Sequence, residues 1–356
     1  MVNQDFVSVL KKYQELLWPI IEKIIRDYNK YPKYCQLDDE YKKEQDFHLK
    51  IVSDYPRRKG KYLRPSLLLL TAQSMGVQLN KALNTAAAMQ MSEDWILGHD
   101  DIEDNSPDRR GQPALHKIYG NELAINAGDA LHMIMWRTLF DNFGGLNKSL
   151  AMKIIEEFYV MMSRTVLGQE IELRWAKDNR FDLSDKDNFL VLESKTGYYT
   201  IAGPMRLGAI IAGATKKQLG TIYRFGVLLG RSFQIVDDLL DLTSDYGGLK
   251  KIKGNDILEN KRTLMLLHLY RKVNRQDREK LIRILNKKRE NKTEIDVVKV
   301  IGLMEKYGSL NYGRKKAKEF AVMAKTIFRN EMGFIRKQPY RGQIMAGIDF
   351  IVSRDH

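Results

Sequence analysis

From Pro204 to Pro339 the chain contains no internal proline, and that stretch is rich in Leu, Ile, Lys and Glu. Proline breaks helices and these residues favour them, so a run of this length predicts consecutive helices. Elsewhere, apolar residues also recur at three- and four-residue spacing. Examples are VLKKYQELLWPIIEKII, LRPSLLLLTAQSM, LNTAAAMQMSEDWILGHDDIED and NFLVLESKTGYYTIAGPMRLGAIIAG. Strict alternation is rare, so the expectation is an all-α chain of about ten or more helices. The interruptions read as loops: DNSPDRRGQP (104–113), DNFGGLN (141–147), AKDNRFDLSDKDN (176–188) and TSDYGGLKKIKGND (243–256).

The chain has 356 residues, 44% of them apolar, enough to bury one large core or two small ones. No Ser/Gly/Pro-rich linker, repeat or low-complexity segment divides it, which predicts a single domain over residues 1–356. A single cysteine, Cys35, excludes an internal disulfide framework and fits a reducing compartment. The N-terminal MVNQDFVSVLKKYQELLWPII mixes charges among its apolar residues and does not read as a signal peptide. No uncharged apolar run approaches the roughly 20 residues of a membrane span. The expectation is a cytoplasmic protein with no transmembrane segment.

The net charge is +14, which admits nucleic acid, acidic membrane or phosphorylated small molecules as partners. Much of the excess lies in RKVNRQDREKLIRILNKKRENK (271–292), where it alternates with Leu and Ile and reads as a solvated helix face. No nucleic-acid module accompanies it, so no nucleic-acid partner is expected.

Two aspartate clusters carry the chemistry: DDIED, with Asp100, Asp101, Glu103 and Asp104, and DDLLD, with Asp237, Asp238 and Asp241. Residues four apart on a helix share a face, so Asp100 stacks one turn before Asp104, and Asp237 before Asp241. Each cluster ends an apolar helix just before a breaker, Asn105-Ser106-Pro107 or Tyr246-Gly247-Gly248. Carboxylates grouped against one another and against the negative end of a helix call for a cation. Mg2+ suits them, because it commonly takes one or two carboxylates together with waters and substrate phosphate oxygens. A bound diphosphate also needs donors, and Lys61, Arg64, Arg109, Arg110, Lys251, Lys261 and Arg262 lie near the clusters in sequence.

The motifs GKYLRP, HDDIEDNSPDRRGQPALH, NAGDAL, GQEIEL, KTG, FQIVDDLLD and GNDILENKRTL resemble those of the trans-isoprenyl diphosphate synthases from residue 60 to near the C-terminus. DDIEDNS…RRG looks most like the geranylgeranyl diphosphate synthases. The resemblance implies an isoprenoid-synthase helical bundle with a deep central cavity, Mg2+ as cofactor, a homodimer, and isopentenyl diphosphate and an allylic diphosphate as substrates. It implies Asp100, Asp104 and Asp237 as metal ligands, with Asp241 beside them and Asp101 and Asp238 in support. Arg109, helped by Lys195, Lys251 and Lys261, would hold the allylic diphosphate. Lys61, Arg64 and Arg110 would hold isopentenyl diphosphate. Thr196 and Gln234, beside Phe233, would turn oxygens to the carbocation, and Gln169 matches the glutamine of the family's GQxxD, with Glu172 for its aspartate.

Two positions depart from the pattern. Glu93 stands where the family has His or Gln, and Lys250 stands for a glycine. Glu93 either pairs with Lys61 or Arg64 or is a surface acid beside Asp94. His99 and His132 read as structural. For product length, Ile96 lies one turn before Asp100 and Met89 about three turns before it on the same face. Trp95 lies off that face. The resemblance nonetheless makes Trp95 the floor of the tail channel, above Ser92 and Met89, with ordinary core packing as its other reading. The implied product is geranylgeranyl diphosphate, with farnesyl diphosphate or a longer polyprenyl diphosphate as alternatives. The competing functions are a non-catalytic synthase subunit, a class I terpene cyclase, and a carboxylate-rich metal-binding bundle, whose Glu-x-x-His pairs are absent.

Overall fold

The computed structural model describes residues 2–28, 38–243 and 254–352, and the chain there is all-α apart from one small hairpin. Cys35, the Tyr246-Gly247-Gly248 breaker, Lys250 and Lys251 lie outside the described residues. The α-helices are α1 (Val2–Asp27), α2 (Lys42–Val52), α3 (Asp54–Arg57), α4 (Leu63–Ser74), α5 (Leu83–Glu103), α6 (Leu115–Tyr119), α7 (Asn121–Phe140), α8 (Lys148–Lys177) and α9 (Asp185–Val191). There follow α10 (Gly203–Ile211), α11 (Lys216–Thr243), α12 (Asn255–Leu258), α13 (Leu264–Lys272), α14 (Arg275–Leu285), α15 (Glu294–Lys306), α16 (Ser309–Glu331) and α17 (Tyr340–Val352). By contacts the chain forms two compact units. The first is Met1–Phe158, Pro204–Thr215 and Phe334–Ala346; the second is Tyr159–Gly203, Lys216–Gly333 and Gly347–His356.

In the first unit α4 and α5 are buried along most of their surface, including Leu68 to Leu70 and Ala86 to Met89. This is why their apolar residues run nearly all round rather than in one stripe. The 104–113 segment, read as a plain loop, carries two two-residue strands, β1 (Asp108–Arg109) and β2 (Gln112–Pro113), paired antiparallel with Arg109 opposite Gln112. Its turn residues Arg110 and Gly111 both have positive φ, 54° and 76°. Two left-handed residues in a two-residue loop match the right-handed twist of the strands. Glycine adopts that conformation freely, whereas arginine does so at a cost of roughly 1–2 kcal/mol.

The second unit packs α11 against a segment the sequence read as ordinary helix. Leu192–Ala202, LESKTGYYTIA, is π-helical, a winding that is rare and recurs at functional sites. Glycines allow the close approach: a Cβ on Gly230 would stand 2.3 Å from the Gly197 Cα, and one on Gly226 2.5 Å from the Ala202 Cα. Beneath them Ile235, Leu239, Leu264, Met265, Leu281, Val300 and Met304 form the buried core.

The basic stretch 271–292 is not wholly the solvated face its composition implied. Lys292 is buried and donates to the Ile257 and Leu258 carbonyls and to Asn260, capping the end of α12. Burial lowers its ammonium to about 8, with Arg262 and Arg289 adding to the fall.

Candidate active site

The first cluster occupies the last turn of α5, and Asp104 is the residue that caps it. The Ser106 N–H donates to the Asp101 carbonyl at 2.8 Å and the Asn105 N–H to the Ile102 carbonyl at 3.1 Å, with Asn105 left-handed at φ 49°. This is a Schellman ending in which asparagine takes the position usually held by glycine, and it explains why DNS follows the acids.

The three aspartates then diverge. Asp101 is fully buried; Tyr55 donates its hydroxyl to it at 2.5 Å and Arg109 binds it through Nε and a terminal nitrogen. The same Tyr55 oxygen accepts the Leu115 N–H, tying α3, α5 and α6 together. Burial, and next the Asp101 hydrogen bond, raise the Tyr55 phenol above its ordinary range. Burial pulls the Arg109 guanidinium down, but Asp101 outweighs it and holds the guanidinium above its ordinary value. Asp100 and Asp104 remain half-buried, with Asp100 3.8 Å from Arg109. Arg58 donates to the carbonyls of Arg109 and Pro113 and so holds the hairpin.

A second arginine group lies earlier on α5. Glu93 is no surface acid: its side chain is 14% exposed and stands 3.2 Å from Arg64 and 3.9 Å from Arg110. Lys61 is exposed. Arg64 sits in the first turn of α4 beside Pro65, where proline's missing N–H costs no helix bond. Next to Glu93, Asp94 is buried and lies 2.8 Å from Arg110. Burial pushes its carboxyl up to about 6 against the Arg110 charge, and Glu93 adds to the rise. On the role that the sequence resemblance implies for Arg64 and Arg110, both of which Glu93 faces, Glu93→Ala is expected to raise KM for isopentenyl diphosphate several-fold, roughly 1 kcal/mol. KM for the allylic substrate should change little; steady-state kinetics with each substrate varied in turn checks the split.

The four residues assigned to product length also lie on α5. Met89 and Ser92 are fully buried, Ser92 donating to the Met89 carbonyl, and Ile96 is half-buried. Trp95 stacks on His132 of α7, with ring centroids 3.9 Å apart and planes within 10°. His132 in turn accepts from the Trp136 indole at 2.8 Å, and His99 meets Trp95 edge-on, so both histidines are packing groups here.

The second unit gathers the other candidates. Thr196, on the π-helical segment, donates to the Gln234 side-chain oxygen at 2.8 Å, and the Gln234 amide donates to Asp238 at 2.8 Å. Asp238 is buried, and burial raises it well above the ordinary carboxylate range, with Asp256 adding and the Gln234 hydrogen bond opposing. Asp237 is half-buried; Asp241 is buried and accepts the Asp256 N–H at 3.0 Å, fixing the start of α12 to the end of α11. Lys195 pairs with Glu172 at 2.5 Å, and Lys261 with Glu259 at 2.7 Å and Asp256 at 3.5 Å. Gly168, just before the half-buried Gln169, lets α8 approach the Lys195 backbone: a Cβ there would stand 2.7 Å from its nitrogen. Phe233 is half-buried on α11.

The structure thus shows partners that the motifs did not announce. Tyr55 and Asp94 lie outside the motifs, and Asp256 and Glu259 lie inside GNDILENKRTL without having been singled out; each holds a residue already named, and none stands at a spacing that periodicity could mark. Among the described residues no three His, Cys, Asp or Glu side chains gather to enclose a metal. The half-buried carboxylates of Asp100, Asp104 and Asp237 are hard oxygen donors of the kind magnesium takes together with water and phosphate oxygens.

A model of the polyprenyl synthetase family matches residues 46–302. The chain belongs to this family. The chain is 31% identical to the short chain isoprenyl diphosphate synthase of Methanothermobacter thermautotrophicus, over 83% of this chain and 87% of that one. It is also 31% identical to the geranylgeranyl diphosphate synthase of Sulfolobus acidocaldarius, over 73% of this chain and 77% of that one. Among solved structures, the geranylgeranyl pyrophosphate synthase from Corynebacterium glutamicum, complexed with isoprenyl diphosphate and magnesium, aligns with a TM-score of 0.84. That alignment covers 97% of this chain and 99% of that one at 20% identity, and so shows the shared all-α fold. Membership in the polyprenyl synthetase family makes the chain a chain-elongating trans-prenyltransferase. Among the described residues no helix is long and apolar enough to cross a membrane.

Proposed function

We propose that this chain condenses isopentenyl diphosphate with allylic diphosphates, with Mg2+ as its metal, and makes mainly geranylgeranyl diphosphate. The observation that carries the reading is the division of labour in the first cluster. Asp101 is consumed by Arg109 and Tyr55, while Asp100 and Asp104 stand half-buried one turn apart at the negative end of α5. Asp100, Asp104 and Asp237 are assigned as magnesium ligands, and Asp241, one turn after Asp237 on α11, fixes the start of α12. The metal supplies charge stabilisation to the leaving diphosphate when it is bound.

In the reaction, the allylic C–O bond ionises, the isopentenyl double bond attacks the allylic carbon, and a proton leaves to the departed diphosphate. Arg109, Lys195, Lys251 and Lys261 are assigned to the diphosphate on which negative charge grows, where fixed donors have most effect. Thr196 and Gln234, already aligned with Asp238, are assigned to the carbocation with Phe233 and Gln169 nearby. Lys61, Arg64 and Arg110 are assigned to isopentenyl diphosphate, with Glu93 setting the two arginines. Trp95 is assigned as the floor of the tail channel, with Ser92, Met89 and Ile96 around it.

We further assign the whole chain to one polyprenyl synthetase domain acting in the cytoplasm as a homodimer. Leu123, Ile125, Met133 and Phe140 are large apolar side chains left exposed on α7, a face suited to a second copy. Product analysis from dimethylallyl, geranyl and farnesyl diphosphate starters tests the reading. Each should converge on the twenty-carbon product; arrest at fifteen carbons, or growth to twenty-five and beyond, would overturn the product assignment.

A further inference from the structure

Arg110 is an arginine in a left-handed backbone conformation at the turn of the hairpin, a strained position for a side chain with a Cβ. Its guanidinium is nonetheless held from several sides. One terminal nitrogen donates to the Tyr55 carbonyl at 2.8 Å, and the other lies 2.8 Å from Asp94 and 3.9 Å from Glu93. Gly60 forms the wall opposite, where a Cβ would stand 2.6 Å from the same nitrogen. Gly60 is itself fixed by Gln14 of α1, which donates to its carbonyl at 2.6 Å.

Asp94 is the unusual member of this group. Its side chain is 1% exposed, so it meets no substrate, and Arg110 is the cation it pairs with. Gln90, one turn earlier, donates to it at 3.3 Å, and buried Tyr62 at the start of α4 feels its charge together with those of Glu93 and Arg110. A buried carboxylate is costly unless paired, and Arg110 is the partner that offsets that cost for Asp94.

We propose that Asp94 is a positioning residue for isopentenyl diphosphate: it holds the Arg110 guanidinium against the Gly60 wall, aimed for the diphosphate, without touching substrate. This rests on the assignment of Arg110 to isopentenyl diphosphate. The role is separate from that of Glu93, which is shared between two arginines and partly exposed.

Steady-state kinetics on Asp94→Asn, Arg110→Gln, their combination and Gly60→Ala test it, with helix content checked for each. Asp94→Asn keeps the shape and removes the charge. A guanidinium misplaced by about 1 Å can cost up to roughly a hundredfold, so KM for isopentenyl diphosphate should rise about tenfold or more. KM for the allylic diphosphate should stay within about twofold, and Asp94→Asn should add little once Arg110 is already Gln, as contacting residues are not additive. Gly60→Ala pushes on the Arg110 guanidinium and leaves Asp94 itself unchanged, and it should raise the same KM.

An equal rise in both KM values, a fall in kcat alone, or additive effects in the double variant would overturn the proposal. So would Gly60→Ala without effect, which decides the matter even where Asp94→Asn does not fold. If Arg110→Gln leaves KM for isopentenyl diphosphate unchanged, the assignment of Arg110 fails and the proposal with it. If Arg110→Gln raises KM and Asp94→Asn does not, only the positioning role fails.

Discussion

Asp100→Ala and Asp237→Ala are each expected to lower turnover by roughly a hundred- to a thousandfold or more while leaving helix content unchanged. The size follows from what these carboxylates are assigned to do. Each is assigned to hold a cation that meets the leaving diphosphate. The tolerance of the fold follows from their surroundings. Both are half-buried, whereas the contacts that knit the first unit run through Asp101, Arg109 and Tyr55, and those of the second through Asp238, Gln234 and Asp241. Circular dichroism and single-turnover kinetics on the purified variants separate the two effects. Substantial activity in either variant would contradict the ligand assignment.

Trp95→Ala is expected to lengthen the product by at least one five-carbon unit. A helix rises about 5.4 Å per turn, close to one isoprene unit, so a side chain on α5 can act as a stop. Trp95 can serve because it is rigid: the indole stacks on His132, His132 is fixed by Trp136, and His99 closes its edge. The residues one and two turns earlier are small Ser92 and flexible Met89, both buried and able to leave room once the indole is gone. The truncation costs roughly 3–5 kcal/mol of stability, so the comparison belongs to folded enzyme at a temperature below its melting point. Chromatography of the dephosphorylated alcohols reads the outcome. A folded, active variant with unchanged chain length would make Trp95 a packing residue alone.

The all-α architecture was legible because both of its signals are local. Helical spacing of Leu and Ile and the absence of proline between Pro204 and Pro339 are visible residue by residue. The aspartate clusters were legible because acids four apart must share a face, and their chain positions put them at helix ends. The hairpin of Asp108–Arg109 and Gln112–Pro113 was hidden, since a two-residue strand has no period to detect. The π-helical winding of Leu192–Ala202 was hidden for another reason. It arises where Gly197, Gly226 and Gly230 bring two backbones together, a tertiary effect that the apolar pattern does not encode. Asp94 escaped notice because nothing in its spacing distinguishes a buried partner of Arg110 from a solvated acid. The inward turn of Lys292 was masked in the same way by the charged stretch around it.

Incorporation of labelled isopentenyl diphosphate into an extractable allylic product, measured with magnesium and again with excess chelator, tests the central claim most directly. The account predicts incorporation with dimethylallyl diphosphate as starter, its loss on chelation, and its return when magnesium is restored. Full incorporation in the presence of chelator, or none with magnesium and any allylic starter, would contradict it.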